Sequence, residues 1–239
     1  MNVFVPTTYR TSAEEIMDDF SLEGDELREA LDKIAKINQL LGGNSVTVSG
    51  IEKLLKNCDP SKTIRIIDLG CGNGDMLRTI ANFGKKNALH FELIGIDANA
   101  YTIAHATQLS QNFNTIRYSC ENIFDSSFKQ KKADIFLCTL TLHHFEDAEI
   151  VTLLQMLYAN ANLGIVINDL HRSALAYRLF QAVCFVFRLN RMSRQDGLTS
   201  ILRGFKKEEL FAFSKIIHPK HFSVRWKWAF RYQWIISKL

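Results

Sequence analysis

Three glycines framed by acids form the pattern in this chain best suited to holding a ligand. The stretch IIDLGCGNGD, residues 66–75, sets Gly70, Gly72 and Gly74 after a short apolar run and before a helical pattern at 76–83. Glycines at a strand-to-helix turn let the backbone bend sharply and approach a ligand closely. Asp97 ends a second apolar run in IGIDAN, 23 residues beyond Gly74. That spacing suits a carboxylate that hydrogen-bonds a ribose diol, so loop and acid together imply a nucleoside ligand. A dinucleotide loop would need glycine where this chain has Asp75, and acids sit badly beside a pyrophosphate at a helix N-terminus. Asp68 and Asp75 suit instead a ligand with an amino-acid end or a sulfonium group.

A second set of residues could move a proton. His143 and His144 follow the apolar run 135–140, and Asn168-Asp169-Leu170-His171-Arg172 follows the run 163–167. Imidazole titrates near neutrality, and the carboxyl ends of strands are where α/β proteins bind ligands. Either His143 or His144 is the leading candidate base. Adjacent residues point differently, so one of them at most reaches a substrate, and both could instead cap a helix or pack. Asp169 and His171 offer an orienting acid and an alternative base, or equally a solvated loop with a salt bridge. Asn168 with Asp169 lacks a second well-placed carboxylate, so no metal is expected.

The elements that position these groups are legible as alternation. Apolar runs at 64–69, 91–96, 116–118, 135–140 and 163–167, with helix-length segments between them, predict an α/β fold with a mostly parallel sheet. Val224, Trp226 and Trp228 alternate with basic residues, and a second run at 232–236 follows closely, predicting a terminal β-hairpin. Before residue 60, Leu27, Leu31, Ile34, Ala35 and Leu41 mark an amphipathic helix that Gly42-Gly43 should stop. Ile51, Leu54 and Leu55 suggest a shorter helix after it. Residues 1–60 are therefore expected as a helical cap on a ligand-binding domain at 61–239.

From about residue 60 onward the chain resembles the class I S-adenosylmethionine-dependent methyltransferases, with residues 66–75 as first motif and 94–99 as second. The likeness continues in NFNTIRYSCENIFD, residues 112–125, where the family usually has an acid that reads the adenine amino group and this chain has Asn122 beside Glu121. ADIFLCTLTLHHF, residues 133–145, resembles the small-molecule branch that includes ubiquinone and menaquinone biosynthesis enzymes. Residues 17–43 look like the opening of polyketide- and quinone-pathway methyltransferases. The family's Pro-Gly-Gly before strand 5 is replaced by Asn160-Ala161-Asn162-Leu163-Gly164.

The resemblance implies a Rossmann-like seven-stranded sheet with helices on both faces and an antiparallel C-terminal hairpin. It also implies S-adenosylmethionine as cofactor. Gly70, Cys71, Gly72 and Gly74 would cradle its methionine end and Asp68 would face its amino group. Asp97 would bind the ribose, Ala98, Asn122 and Ile123 would lie along the nucleoside, and Thr139 and Leu140 would line the site.

The 31 residues at 173–203 are long for a connection after a fifth strand and suggest an inserted lid. Within them 174–189 is strongly apolar but too short for the roughly 20 residues that span a bilayer. A lid over a hydrophobic acceptor pocket is favoured, with an interfacial helix on anionic lipid and a core helix as alternatives. Residues 171–239 carry 14 Lys/Arg against 3 Asp/Glu, whereas residues 1–60 carry 6 against 11. The basic end admits a rival reading as an RNA methyltransferase, although no RNA-binding module is visible and no nucleic acid is expected. A non-catalytic cofactor-binding module is a further rival. The 5 cysteines lack any paired spacing, and no secretion signal opens the chain, so a cytoplasmic protein without disulfides is expected. The reading is thus of methyl transfer to a hydrophobic small molecule, more at oxygen than at carbon or nitrogen, with peripheral membrane contact as an option and no expectation about oligomeric state.

Overall fold

The computed structural model describes residues 5–238. The run TIRIIDL forms strand β1 (Thr63–Leu69) with apolar side chains on both faces. Ile64 and Ile66 enter one core cluster and Ile67 and Leu69 the other. A strand apolar on both sides is stable only inside a sheet covered by helices on each face, and that is its setting. Strands β2 (His90–Asp97), β3 (Ile116–Cys120), β4 (Ala133–Thr139) and β5 (Ala161–Leu170) lie parallel to it. The hairpin β6 (His221–Lys227) and β7 (Arg231–Ser237) follows, with β7 antiparallel to β5. The seven strands take the order β3-β2-β1-β4-β5-β7-β6. The order reverses at β1, between β2 and β4, where open α/β sheets leave a ligand crevice. This is the seven-stranded Rossmann-like sheet expected from the sequence.

On one face, helices α2 (Gly43–Leu55) and α3 (Asp75–Asn87) bury Ile51, Leu54, Met76, Leu77 and Ile80. The opposite face is covered by α5 (Asp147–Asn160) and α8 (Lys207–Ile217), which supply Ile150, Leu153, Leu154, Leu157, Leu210, Phe213 and Ile217. Each such aliphatic side chain withdrawn from water contributes about 1.5–3 kcal/mol. Helix α4 (Ala100–Leu109) follows β2, its first turn capped by the Asn99 side chain, which accepts from the Thr102 amide. Helices α1 (Asp25–Leu40), α6 (Ala174–Val186) and α7 (Arg191–Arg203) gather above the carboxyl ends of the strands.

One local expectation is corrected, and two segments gain definition. Gly42, in the left-handed region, does end α1, but Gly43 opens α2 at once and does not prolong the break. The sequence GNSVTVSG hides that helix because small residues stand where apolar ones would signal it. At Gly50 a Cβ would come within 2.5 Å of Val166, so small residues there bring α2 down onto β5. Helix α2 is thereby part of the sheet's own covering layer. The inserted segment 173–203 is two helices, with residues 187–190 between them. Asn160 ends α5 and β5 begins directly at Ala161, so no separate turn occupies 160–164.

Candidate active site

A cavity of about 1360 Å³ opens at the carboxyl ends of β1, β2, β4 and β5. Small-molecule pockets commonly occupy about 300–1,000 Å³, so this volume has room for a nucleoside cofactor together with an acceptor. Gly70, Cys71, Gly72, Asp68, Asp97, Ala98, Asn122, Ile123, Thr139 and Leu140 all line it, although they come from widely separated parts of the chain. Gly70 has φ 63°, and a Cβ there would press on Thr141 at 2.7 Å, so both conformation and space require glycine. Gly74, grouped with the cradle in the sequence reading, is not among the cavity-lining residues. It is the residue before α3, at φ 78°, and its missing side chain leaves room for the Tyr118 hydroxyl.

The acids behave as a set prepared for a cation and a diol. Asp68 is fully buried, and its Oδ1 finds no hydrogen-bond partner. Burial, then repulsion from Asp97 and Asp75, pushes its carboxyl up to about 8. A cationic amino group placed there would relieve both the orphaned oxygen and the repulsion, as the methionine end of S-adenosylmethionine would. Asp97 accepts from the Gly72 and Asn99 amides at 3.1 Å each, which aims its carboxylate along the cavity. Burial raises its pKa. Asn122 uses its Oδ1 to accept from the Phe124 amide, which leaves its side-chain NH2 for an adenine acceptor. Asn99 donates to the carbonyls of Phe20 and Leu22, fastening the N-terminal segment beside the nucleoside end.

The proton-handling groups sit on the acceptor side. His143 and His144 end a 3-10 turn, Leu142–His144, just past β4. His143 is buried, and its Nδ1 lies 2.7 Å from Asp169 Oδ1. Burial works to raise the Asp169 pKa, but the charge and hydrogen bond of His143 hold it below the usual carboxylate range. The other ring nitrogen, Nε2, has no partner and stands 3.7 Å from Oε1 of Glu15, which is also unpartnered. Glu15, which carries no local signal in its segment, is buried and its carboxyl is pushed up to about 7, chiefly by desolvation. His144 turns to Asp18 at 2.6 Å. Asp169 therefore orients His143 and does not serve His171, with which the sequence paired it. His171 does line the cavity, with its Nδ1 accepting from Trp226 Nε1 at 3.3 Å. Its pKa is lowered, first by burial and then by Arg172 and Lys206.

Two arginines fix the 3-10 turn. Arg203, from the end of α7, donates to the carbonyls of His143 and His144 and to Asp18. Arg10 donates to the carbonyls of His143, Phe145 and Arg203. Ligand atoms of Glu15, His143 and His144 lie within 4.8 Å of one another, the kind of cluster that can hold a metal. Here the Arg203 guanidinium stands 3.9 Å from Glu15 Oε1 and supplies positive charge at that position. The Nδ1 atoms of both imidazoles are already engaged, by Asp169 and by Asp18. The arrangement suits an oriented base better than a metal centre.

Residues 66–164 match the family model described as a methyltransferase domain. Over that stretch the chain is similar to methyltransferase domains. The domain's fold recurs in the plantazolicin methyltransferase BpumL in complex with SAH, with a TM-score of 0.64 at 18% identity over 90% of this chain and 96% of that one. It recurs in the magnesium protoporphyrin IX methyltransferase of Synechocystis PCC 6803 with bound SAM, with a TM-score of 0.58 at 15% identity over 95% and 98%. Among curated proteins, the carboxy-S-adenosyl-L-methionine synthase of Helicobacter pylori strain HPAG1 is 20% identical over 175 residues, 69% of this chain and 71% of the relative.

Proposed function

We propose that this methyltransferase moves a methyl group from S-adenosylmethionine to a hydroxyl of a hydrophobic small molecule of phenolic, quinone-like or polyketide type. The observation that carries the reading is the buried His143–Asp169 pair, whose imidazole is among the walls of the cavity that the glycine loop lines and keeps Nε2 without a hydrogen-bond partner, beside Glu15. When bound, the cofactor supplies an electrophilic methyl on its sulfonium. Asp68 holds the amino end and Asp97 the ribose, which fixes the methyl in place. His143 donates a hydrogen bond from Nδ1–H to the Asp169 carboxylate, so the neutral ring presents a lone pair at Nε2 to take the acceptor's hydroxyl proton. Asp169 then stabilises the imidazolium. Holding nucleophile and methyl in line supplies most of the acceleration in such a displacement.

The 3-10 segment Ile16–Asp18 and helices α1, α6 and α7 lid the acceptor and exclude water. Phe180, Val183 and Phe187 of the α6 region give that side an apolar wall. The basic C-terminal third supports RNA binding less well than its sequence suggests. Arg172 is buried against Glu209 and the carbonyls of Thr7, Thr8 and Gly204, while Arg203 and Arg231 also turn inward.

The test is transfer of labelled methyl from S-adenosylmethionine to a panel of lipophilic phenols and hydroxyquinones, with bulk RNA in parallel. Labelled phenol ether that disappears in His143→Ala supports the reading. Label in RNA, or SAH binding without transfer to anything, would replace it with one of its rivals.

A further inference from the structure

Arg231 is the first residue of β7 and pairs with Leu170 at the carboxyl end of β5. It lines the same cavity, yet it is only 4% exposed. Neither its Nε nor its Nη1 has a hydrogen-bond partner. A buried guanidinium with two idle donors is costly, and burial lowers even its pKa, to about 10. The anion whose charge it feels is Asp169, and that carboxylate is already committed to His143 and to the Leu170 amide.

Its other neighbours do not neutralise it. The guanidinium carbon would lie 2.9 Å from a Cβ on Gly43, the first residue of α2. The N-terminus of that helix, without a side-chain cap, adds positive partial charge beside a positive side chain. Asn38 Oδ1 stands against the same glycine and is neutral. Guanidinium and helix end together form a seat for a planar oxyanion. Leu170, His171, Trp228 and Phe230 line the cavity along with it, so the rest of the ligand at this end meets apolar and aromatic walls.

We propose that Arg231 anchors a carboxylate of the acceptor, which makes the substrate a hydrophobic carboxylic acid. The inference rests on the methyl-transfer reading and names its substrate class. The sheet order separates acceptor from cofactor here. β7 lies three strands from β1 and its glycine loop but two from β4, after which His143 stands. At about 4.8 Å per strand, that sets the anchor on the order of 10 Å from the strand that carries the base. An acceptor with its carboxylate and its reacting hydroxyl at opposite ends of a two-ring body matches that span.

The test uses 6-hydroxy-2-naphthoate and the neutral 6-hydroxy-2-naphthamide, titrated calorimetrically into the protein with and without saturating SAH. The acid should bind at least tenfold more tightly than the amide. Arg231→Met should erase the preference, and Arg231→Lys should keep part of it and guard against a folding defect in the first variant. Equal binding of acid and amide, no binding of either, or a preference that survives Arg231→Met overturns the proposal. Titration of SAH and of methylthioadenosine, which lacks the amino-acid end, into both variants covers the other carboxylate source. If Arg231→Met weakens SAH and spares methylthioadenosine, the arginine holds the cofactor and the acceptor assignment fails. Failure of SAH to bind the wild-type protein strikes the methyl-transfer reading, while the acid-amide comparison without SAH still reads Arg231 by itself.

Discussion

Nδ1 of His143 and Oδ1 of Asp169 lie 2.7 Å apart, tying the 3-10 turn after β4 to the last residues of β5. The contact fixes which imidazole nitrogen is free. His143→Ala should lower kcat by about 10²–10⁴-fold, the usual contribution of a positioned general base. SAH affinity should stay unchanged. Asp169→Asn should lower kcat as well, because an amide can donate to Nδ1 and so favour the tautomer with its proton on Nε2. His144→Ala should cost much less, since that ring is held by Asp18. Steady-state kinetics beside SAH calorimetry check all three. A full-speed His143→Ala enzyme would remove the base from the mechanism.

With Asp97 proposed at the ribose and Asp68 at the amino end of the cofactor, the two should separate in binding experiments. Asp97→Ala should weaken both SAH and methylthioadenosine by about 2–3 kcal/mol, the value of charge-assisted hydrogen bonds to a ribose. Asp68→Asn should weaken SAH but spare methylthioadenosine, which has no amino group to meet it. Equal losses for the two ligands in Asp68→Asn would put that acid elsewhere in the site.

Glu15 gives the protein a stability cost at high pH. Its carboxyl, ordinarily near 4.5, is pushed up to about 7 by burial, so the folded chain holds this proton more tightly than the unfolded one. Stability from this group is complete below about pH 4.5 and is lost as pH rises through about 7. At about 1.4 kcal/mol per pKa unit, the loss above pH 8 is on the order of 3 kcal/mol. Asp68, raised to about 8, acts in the same direction. Glu15→Gln should therefore leave stability at pH 4 little changed and raise it at pH 8. Urea unfolding at the two pH values checks this, and an equal effect at both would mean Glu15 is ionised throughout in the fold.

Much of this site was legible because sequence and strand end coincide. Gly70, Gly72, Asp97, Asn122 and Thr139 each follow or close an apolar run, and parallel strands must carry such residues to one edge. What the sequence concealed was pairing across the fold. Asp169 and His171 are near neighbours in the chain, but residues two apart on extended backbone share a face only while the strand continues, and β5 ends at Leu170. Glu15 and Arg231 were hidden differently. Each is an ordinary charged residue in its own segment, and only burial against distant elements makes one a raised carboxyl and the other an unpaired cation. Gly43 read as a stop because a glycine's packing role, beside Asn38 and Arg231, leaves no local signal.

Helix α6 presents apolar side chains in two directions. Phe180 and Val183 line the cavity, Leu179 and Val186 line it at its exposed rim, and Leu175 and Phe185 are exposed away from it, Phe185 to 86%. Such a row on a helix of only 13 residues is too short to span a bilayer, and no helix among the described residues is long and apolar enough to do so. Arg188, Arg191 and Arg194 follow it, also exposed. Apolar side chains beside a basic cluster fit a helix resting on anionic lipid, with each arginine near the surface adding about 1 kcal/mol. An acceptor dissolved in that lipid could then pass under α6 without crossing water. The protein should co-sediment with vesicles containing phosphatidylserine, less with neutral vesicles, and less again at high salt. Leu175→Glu with Phe185→Glu, neither of which lines the cavity, should release it, by about tenfold or more given the apolar area lost, and leave turnover of a water-soluble phenol unchanged. Equal sedimentation of wild type and double variant would assign these side chains to another partner.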